Sequence, residues 1–188
     1  MKNFSKISVA LLALIVAFAF IGCGEEPANP GKYDGSGPGI KFKFSSLAIP
    51  DGALNDAALA PFNLKTSGSA AVSYADGVLT VDTSACDVGQ DYHCLDVLKT
   101  AYEAFDAPFE FTVKGKMLSA GALKLGQAGP NGFYAQIKAA GGAMVAGDEF
   151  EITATITKAN IDGTNGIRIQ GSAAPSPSFQ VTEILIVK

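Results

Sequence analysis

Few residues of the sequence have side chains suited to chemistry, and three of them lie close together near the middle of the chain. Cys86 and Cys94 bracket a short segment, and His93 is the only histidine among the 188 residues. A zinc site needs more ligands than these three supply. A nucleophilic triad needs an activated nucleophile beside a base, and no nucleophile-elbow motif occurs. The sequence therefore predicts no catalytic residue and no enzyme activity.

Carboxylates and the single histidine complete the list of chemically capable groups. His93 alternates with apolar residues that follow it, which favours a buried strand-end histidine over a ligand contact. Glycosidases use two carboxylates across a cleft, and no such pair stands out by spacing. Asp82, Asp87 and Asp91 lie near one another, and calcium prefers oxygen ligands, but they match no defined calcium loop. We predict no cofactor and keep structural calcium as the open alternative.

The first residues have the pattern of an export signal. Lys2 and Lys6 precede an uncharged apolar run over residues 7–21, which is short of the ~20 residues that a membrane span requires. The run ends in Phe20-Ile21-Gly22-Cys23, which resembles the bacterial lipobox. That resemblance implies a lipoprotein signal peptide over 1–22 and a lipid attached to Cys23. It also implies a location in the bacterial cell envelope, anchored to the membrane. An ordinary secretory signal is the alternative.

The segment that follows the signal is predicted to be a tether. Residues 23–39 are rich in Gly, Pro, Asn and Ser, a composition typical of flexible linkers.

In an exported chain, the remaining cysteines, Cys86 and Cys94, are expected to form a disulfide that stabilises the fold by ~2–3 kcal/mol. Two reduced thiols are the alternative.

Composition limits the remaining possibilities. Hydrophobic residues make up 48% of the chain, charged residues 17%, and the formal net charge is −4. This balance excludes a disordered acidic chain and argues against a nucleic-acid partner, which requires clustered Lys and Arg. The length fits one domain, which we place at residues 40–188.

The sequence of that domain predicts β-strands. Seven segments have the pattern of strands: in most of them apolar and polar residues alternate with period two, as in half-buried strands, and the last is a nearly continuous apolar run. Turn signals such as Asp76-Gly77 separate them. Helical patterns are limited to short stretches at 51–59 and 98–105. The sequence thus predicts an all-β antiparallel sandwich, or jelly roll. The seven segments are 40–44, 78–82, 93–99, 109–116, 150–157, 166–170 and 179–187.

Five segments in the second half of the chain form paired aromatic strands, a Pro-x-Gly-aromatic segment and a closing strand that begins with an aromatic residue: 92–97, 109–116, 129–134, 166–171 and 178–186. Together they resemble the jelly-roll carbohydrate-binding modules attached to xylanases and related glycanases. The resemblance implies a non-catalytic domain whose partner is a polysaccharide such as xylan or β-glucan. The chain has no Trp, the usual sugar platform, and Phe133 stands where an indole is often found.

The alternation of apolar and polar residues along the predicted strands indicates which side chains would contact a sugar. A pyranose is bound by an aromatic platform together with planar amide or guanidinium groups. Five polar or aromatic residues face opposite to the apolar members of their strands, and on one sheet they would form a groove. These candidate carbohydrate-binding residues are Tyr92, Tyr134, Gln136, Arg168 and Gln170.

Other functions remain open at this point. Lys114, Lys116 and Lys124 are expected on a solvated face rather than in a ligand site. A structural or adhesive surface lipoprotein that binds a protein partner would use the same fold, because fold alone does not choose a function. A glycan-active enzyme is the third and weakest alternative.

Overall fold

The computed structural model describes residues 39–90, 93–129 and 135–188, which form two antiparallel β-sheets around a single hydrophobic core. This confirms the predicted antiparallel sandwich. The predicted signal peptide, the lipid-attachment site at Cys23 and all but the last residue of the predicted linker lie outside the described residues.

The larger sheet has seven strands. Its order is β10-β7-β12-β5-β4-β2, and β1 pairs with the second half of β12. A register shift interrupts the pairing of β7 with β12 between Val181 and Glu183. The strands are β1 (Gly39–Lys43), β2 (Gly52–Leu54), β4 (Ala71–Ala75), β5 (Val78–Asp82), β7 (Phe109–Met117), β10 (Glu149–Ile156) and β12 (Phe179–Val187).

The smaller sheet has five strands in the order β3-β6-β11-β8-β9. Strand β11 is central, so residues of β11 have cross-strand neighbours on both sides. The strands are β3 (Leu64–Ser67), β6 (Cys94–Leu98), β8 (Leu123–Ala128), β9 (Gln136–Ala139) and β11 (Gly166–Gly171).

Helices are short in the described part of the chain, and none is long and apolar enough to cross a membrane. The prediction of a helix at 51–59 is wrong for its first half, because Gly52–Leu54 is a strand that pairs with β4. Only Asp56–Leu59 is helical. The Asn55 side chain caps that helix by accepting from the Ala58 N–H at 2.9 Å. The helices are η1 (Phe44–Ser46), α1 (Asp56–Leu59), η2 (Ala60–Phe62), η3 (Lys99–Ala101) and α2 (Lys158–Ile161).

The core fills the space between the sheets and follows the alternation of the sequence. In β7, Phe111 and Val113 are buried, and in β11 Ile167 and Ile169 are buried, all in one cluster. Removing apolar area from water at ~25 cal/mol per Å² is the main stabilising contribution to such a core. Because side chains alternate across a strand, the residues between these apolar positions lie on the outer faces of the two sheets.

The predicted turn at Asp76-Gly77 is confirmed and connects β4 to β5. Both residues have positive φ, 51° and 80°, as a two-residue hairpin turn of the I′ type requires. A Cβ on Gly77 would lie 2.6 Å from the Cβ of Ser45, so the close approach of the preceding segment also requires glycine. This hairpin carries Val72 and Leu79 into the core.

Candidate functional site

The outer face of the five-stranded sheet carries a row of cross-strand neighbours that runs across all five strands. Lys65 is paired with Asp96, Asp96 with Arg168, Arg168 with Gly126, and Gly126 with Gln136. Paired residues of antiparallel strands project to the same face. The register therefore places two predicted site residues, Arg168 and Gln136, in one row but two strands apart, with a register shift between β8 and β9 beside the Gly126–Gln136 pair. Between them, Gly126 contributes no side chain.

Arg168 is fixed at the centre of this row. Its Nε donates to Asp96 Oδ1 at 2.7 Å, and its Nη2 donates to Asp96 Oδ2 at 3.0 Å. Nη2 also donates to the Ser67 hydroxyl at 2.8 Å. The side chains of Arg168 and Asp96 are 6% and 8% exposed. This two-pronged, charge-assisted pairing holds the guanidinium plane in one orientation.

A cavity of about 700 Å³ opens over this end of the sheet, a size in the range of small-ligand sites. Its floor includes Asp96, Arg168, Leu98 and Ala128, and the two sides are formed by separate segments of chain. We call this cavity the outer groove. One side consists of α1 and β3 residues, and the other consists of the chain after β8 and before β11. The side residues are Asp56, Lys65, Thr66, Ser67 and Gly68 on the first, and Gly129 and Asn165 on the second.

The first side of the outer groove is tied together by Asp56. Its Oδ1 accepts from the Thr66 backbone N–H at 3.0 Å and from the Thr66 hydroxyl at 2.8 Å. Asn55 caps the helix that begins at Asp56, so the cap and this bond together place α1 against β3. Among the described residues that line the groove, two are acidic and two are basic, Asp56 and Asp96 with Lys65 and Arg168. Their formal charges cancel, and a groove of this kind is suited to a neutral, hydroxyl-rich ligand.

A second row of paired residues crosses the same face from β3 to β8, two positions along the strands from the first. It contains Ser67, Cys94, Gln170 and Lys124. Gln170 is 1% exposed and Lys124 is 6% exposed. The expectation of a solvated Lys124 is therefore wrong, because this part of the outer face is not in contact with water. Gln170 lies on the predicted face but is buried and does not line the outer groove.

The expected disulfide is absent, and Cys86 and Cys94 remain thiols. Cys94 is buried on the outer face of β6, where its Sγ lies 3.8 Å from Asp96 Oδ1. Cys86 follows β5 in a turn closed by its N–H to the Thr83 carbonyl. Burial, and then the nearby Asp96 charge, raise the pKa of the Cys94 thiol. The period-two pattern correctly placed Cys94 opposite to Leu95, but closeness in sequence did not make the two sulfurs partners.

The structure confirms the prediction that His93 is a buried histidine at the end of a strand. It is 2% exposed, and its Nδ1 accepts from the Ser69 backbone N–H at 2.9 Å. A nitrogen that accepts a hydrogen bond carries no proton, so the hydrogen of this neutral ring is on Nε2. The bond attaches the β3–β4 loop to the start of β6, next to Gly68 at the rim of the outer groove.

Two candidate aromatic residues, Tyr92 and Tyr134, lie outside the described residues. They precede β6 and β9 by two positions each, and both strands belong to the five-stranded sheet. Gln136 is described and exposed at the edge strand, in the row of Arg168 but beyond the lining of the groove. Whether the two tyrosines contact a ligand stays a prediction.

The first side of the groove was not predicted as a site. Asp56, Lys65, Thr66 and Ser67 lie in the part of the chain that precedes the resemblance to carbohydrate-binding modules. A helix-cap signature at Asn55-Asp56 was available in the sequence. Nothing in the local pattern, however, relates it to Arg168 more than 100 positions away, since only strand pairing brings these elements together.

The carboxylates considered for calcium have other partners where they are described. Asp82 Oδ1 accepts from the Ser84 N–H at 2.8 Å and from the Ser178 hydroxyl at 3.2 Å. Asp87 Oδ1 accepts from the Gly89 N–H at 2.8 Å, and Asp91 lies outside the described residues. Within 39–90, 93–129 and 135–188 no group of three or more His, Cys, Asp or Glu residues could hold a metal ion.

Comparisons with known proteins bear on the fold. No protein-family model matches the chain, and no curated protein matches it. Among solved structures, the chain is similar to the CBM22-2 xylan-binding domain from Paenibacillus barcinonensis Xyn10C. The TM-score is 0.51 at 14% identity, over 79% of this chain and 98% of that domain. A family 29 carbohydrate binding module from Piromyces equi aligns over 80% of this chain and 91% of its own, with a TM-score of 0.44 at 13% identity. The first of these similarities confirms the jelly-roll fold.

Proposed function

We propose that this protein is a non-catalytic, membrane-anchored lipoprotein that binds a neutral polysaccharide in the outer groove. The observation that carries the proposal is the fixed Arg168 guanidinium at the floor of a cavity of about 700 Å³, in which the formal charges of the described lining residues cancel. The shared fold with a xylan-binding domain supports it. Xylan and β-glucan are the proposed polysaccharides.

The groove matches the two faces of a sugar ring. Leu98 and Ala128 supply apolar surface for C–H groups, and Arg168 and Asn165 supply polar groups for the hydroxyl rim. Tyr134 is the proposed aromatic platform, as the sequence pattern predicts. Lys65, exposed on the first side, is proposed to contact ring or glycosidic oxygens as a donor.

The absence of catalysis is part of the proposal and follows from the state of the two groove carboxylates. A glycosidase needs one carboxyl to transfer a proton and a second to act as base or nucleophile. Both oxygens of Asp96 accept from Arg168, so this carboxylate is committed to an ion pair. Asp56 is committed to Thr66 by two hydrogen bonds. In this arrangement Asp96 has both oxygens in hydrogen bonds and is not placed to exchange a proton with a bound sugar.

Membrane attachment through lipidated Cys23 completes the proposed role. The predicted tether ends where β1 begins at Gly39. With the lipid in the membrane of the cell envelope, the domain would hold polysaccharide close to the cell surface. Metabolic labelling with a radioactive fatty acid tests this step, since incorporation should be lost in Cys23→Ser.

Affinity electrophoresis tests the binding itself. The full chain, in a polyoxyethylene detergent that contains no sugar, is run through native gels containing xylan, hydroxyethyl cellulose, mannan or β-glucan. We expect retardation on xylan or β-glucan. Lys65→Ala should weaken it about 2- to 10-fold, the worth of one hydrogen bond. Tyr134→Ala should weaken it further, since it removes a stacking platform.

The matched control is Lys116→Ala, which removes an exposed lysine from the outer face of the other sheet. It should migrate as the unmodified chain does. Retardation on none of the four glycans would overturn the proposal and favour a surface lipoprotein with a protein partner. Equal losses in both lysine variants would show that binding is not in the outer groove.

A further inference from the structure

We infer that Asp96 and Ser67 are positioning residues of the outer groove, which hold Arg168 in its ligand-binding orientation before any ligand arrives. The inference rests on the proposed function and assigns roles to two residues that sequence patterns did not nominate. Both act through Arg168 rather than on the ligand.

The geometry divides the guanidinium into two edges. The Nε and Nη2 edge meets Asp96 through two hydrogen bonds of 2.7 and 3.0 Å, and Nη2 meets Ser67 at 2.8 Å. In a planar guanidinium, Nη1 lies across the central carbon from that edge.

Three strands take part in the arrangement. Ser67 comes from β3, Asp96 from β6 and Arg168 from β11, and these are neighbours in the sheet. Because each donor or acceptor is fixed by strand register, the guanidinium cannot follow one partner without leaving another. A long side chain that is already ordered loses little conformational entropy when a ligand binds.

Burial makes the positioning effective. At 6% and 8% side-chain exposure the pair is poorly screened by water, in contrast to a surface ion pair. Asp96 also neutralises Arg168, which allows a cation to stand at the floor of a groove that receives an uncharged sugar. Without Asp96 the buried guanidinium would carry an uncompensated charge.

The test uses Ser67 because its replacement leaves the buried charge pair intact. Binding of xylohexaose to the full chain is measured by titration calorimetry, alongside the midpoint of thermal unfolding. Ser67→Ala should weaken binding about 3- to 10-fold, with a less favourable binding entropy and a nearly unchanged unfolding midpoint. Ser67→Thr retains the hydroxyl and should restore the affinity.

Two further variants separate this role from a structural one. Ser69→Ala alters an exposed serine of the adjoining loop, whose backbone N–H rather than its hydroxyl bonds His93, and should bind as the unmodified chain does. In a chain carrying Asp96→Asn with Arg168→Gln, Ser67→Ala should have no additional effect, because Ser67 acts through the guanidinium.

The outcomes distinguish the two proposals. If the unmodified chain does not bind xylohexaose or soluble β-glucan oligosaccharide, both the proposed function and this inference fail. If it binds and Ser67→Ala binds equally well, the positioning role fails while the proposed function stands. An additional loss in the Asp96→Asn, Arg168→Gln background would also overturn it, by showing that Ser67 contacts the ligand directly.

Discussion

The outer faces of the two sheets are built by the same alternation and have opposite relations to water. On the seven-stranded sheet, Lys114 lies 3.3 Å from Glu151 and 3.9 Å from Glu183, and the Lys114 and Glu151 side chains are 41% and 57% exposed. On the five-stranded sheet, Arg168 and Asp96 are at 2.7 Å and almost fully buried. Charged residues that alternation places on an outer face therefore form a solvated ion pair on one sheet and a desolvated ion pair on the other.

The desolvated outer face is the one that requires a functional explanation. Charges in water cost nothing to maintain and contribute little, whereas buried charges must be fully paired. Four charged or polar residues are buried on one outer face: Asp96, Arg168, Lys124 and Gln170. Their burial costs desolvation free energy, and the packing of the core does not require it. The outer groove opens on that face.

The largest expected effect comes from breaking the buried pair. Asp96→Ala leaves the Arg168 guanidinium buried without its partner and should lower the free energy of unfolding by about 3–5 kcal/mol. Urea unfolding followed by circular dichroism measures it. A loss below about 1 kcal/mol would mean that this face is as well hydrated as the other.

The second expected effect is a contrast in thiol reactivity. Cys94 is buried and its pKa is raised, so with a thiol-reactive chromophore at pH 8 it should react only after unfolding. Cys86 is half-buried, and burial followed by the Asp82 charge raises its pKa, so it should react slowly in the folded chain. A Cys23→Ser chain isolates these two signals. If neither thiol reacts in unreduced, unfolded protein, the two are joined in a disulfide.

A smaller effect is expected at Asp82, at the exposed end of β5. The Ser84 backbone N–H, and then the Ser84 and Ser178 hydroxyls, hold the pKa of this carboxyl below its usual value. Since the folded-state pKa is lowered, its stabilisation is present above the unfolded pKa and is lost as pH falls through the folded pKa. Asp82→Asn should therefore have a lower unfolding midpoint than the unmodified chain at pH 7. The gap should close below pH ~3.9, the ordinary Asp value. A gap that is independent of pH would contradict this reading.

The smallest effect is expected on the solvated face. Lys114→Ala removes a pair with Glu151 and another with Glu183, both partly exposed, and should change the free energy of unfolding by about 0–1 kcal/mol. Adding 1 M NaCl should abolish even that difference. A loss comparable with that of Asp96→Ala would remove the distinction between the two faces.

Strand content and orientation were largely predictable. Segments 78–82 and 179–187 were expected as strands and are β5 and β12 with the same bounds. Five strands of the described residues were not among the expected segments: β2, β3, β4, β8 and β9. Of these, β2 and β3 have three and four residues, which carry too little periodicity. Arg168 was correctly placed opposite Ile167, yet its partner Asp96 was not foreseen, since pairing between distant strands leaves no mark in local sequence.

The amino-acid sequence was sufficient to assign which residues face the core and which face away from it, because side chains alternate along any strand. It also determined the turn at Asp76-Gly77, where backbone conformation demands particular residues. Only the tertiary structure decided which outward residues are desolvated and which partners they find. The reason is that burial on an outer face depends on register and on segments far away in the chain. Arg168 meets Asp96 and Ser67 only because β11, β6 and β3 lie side by side.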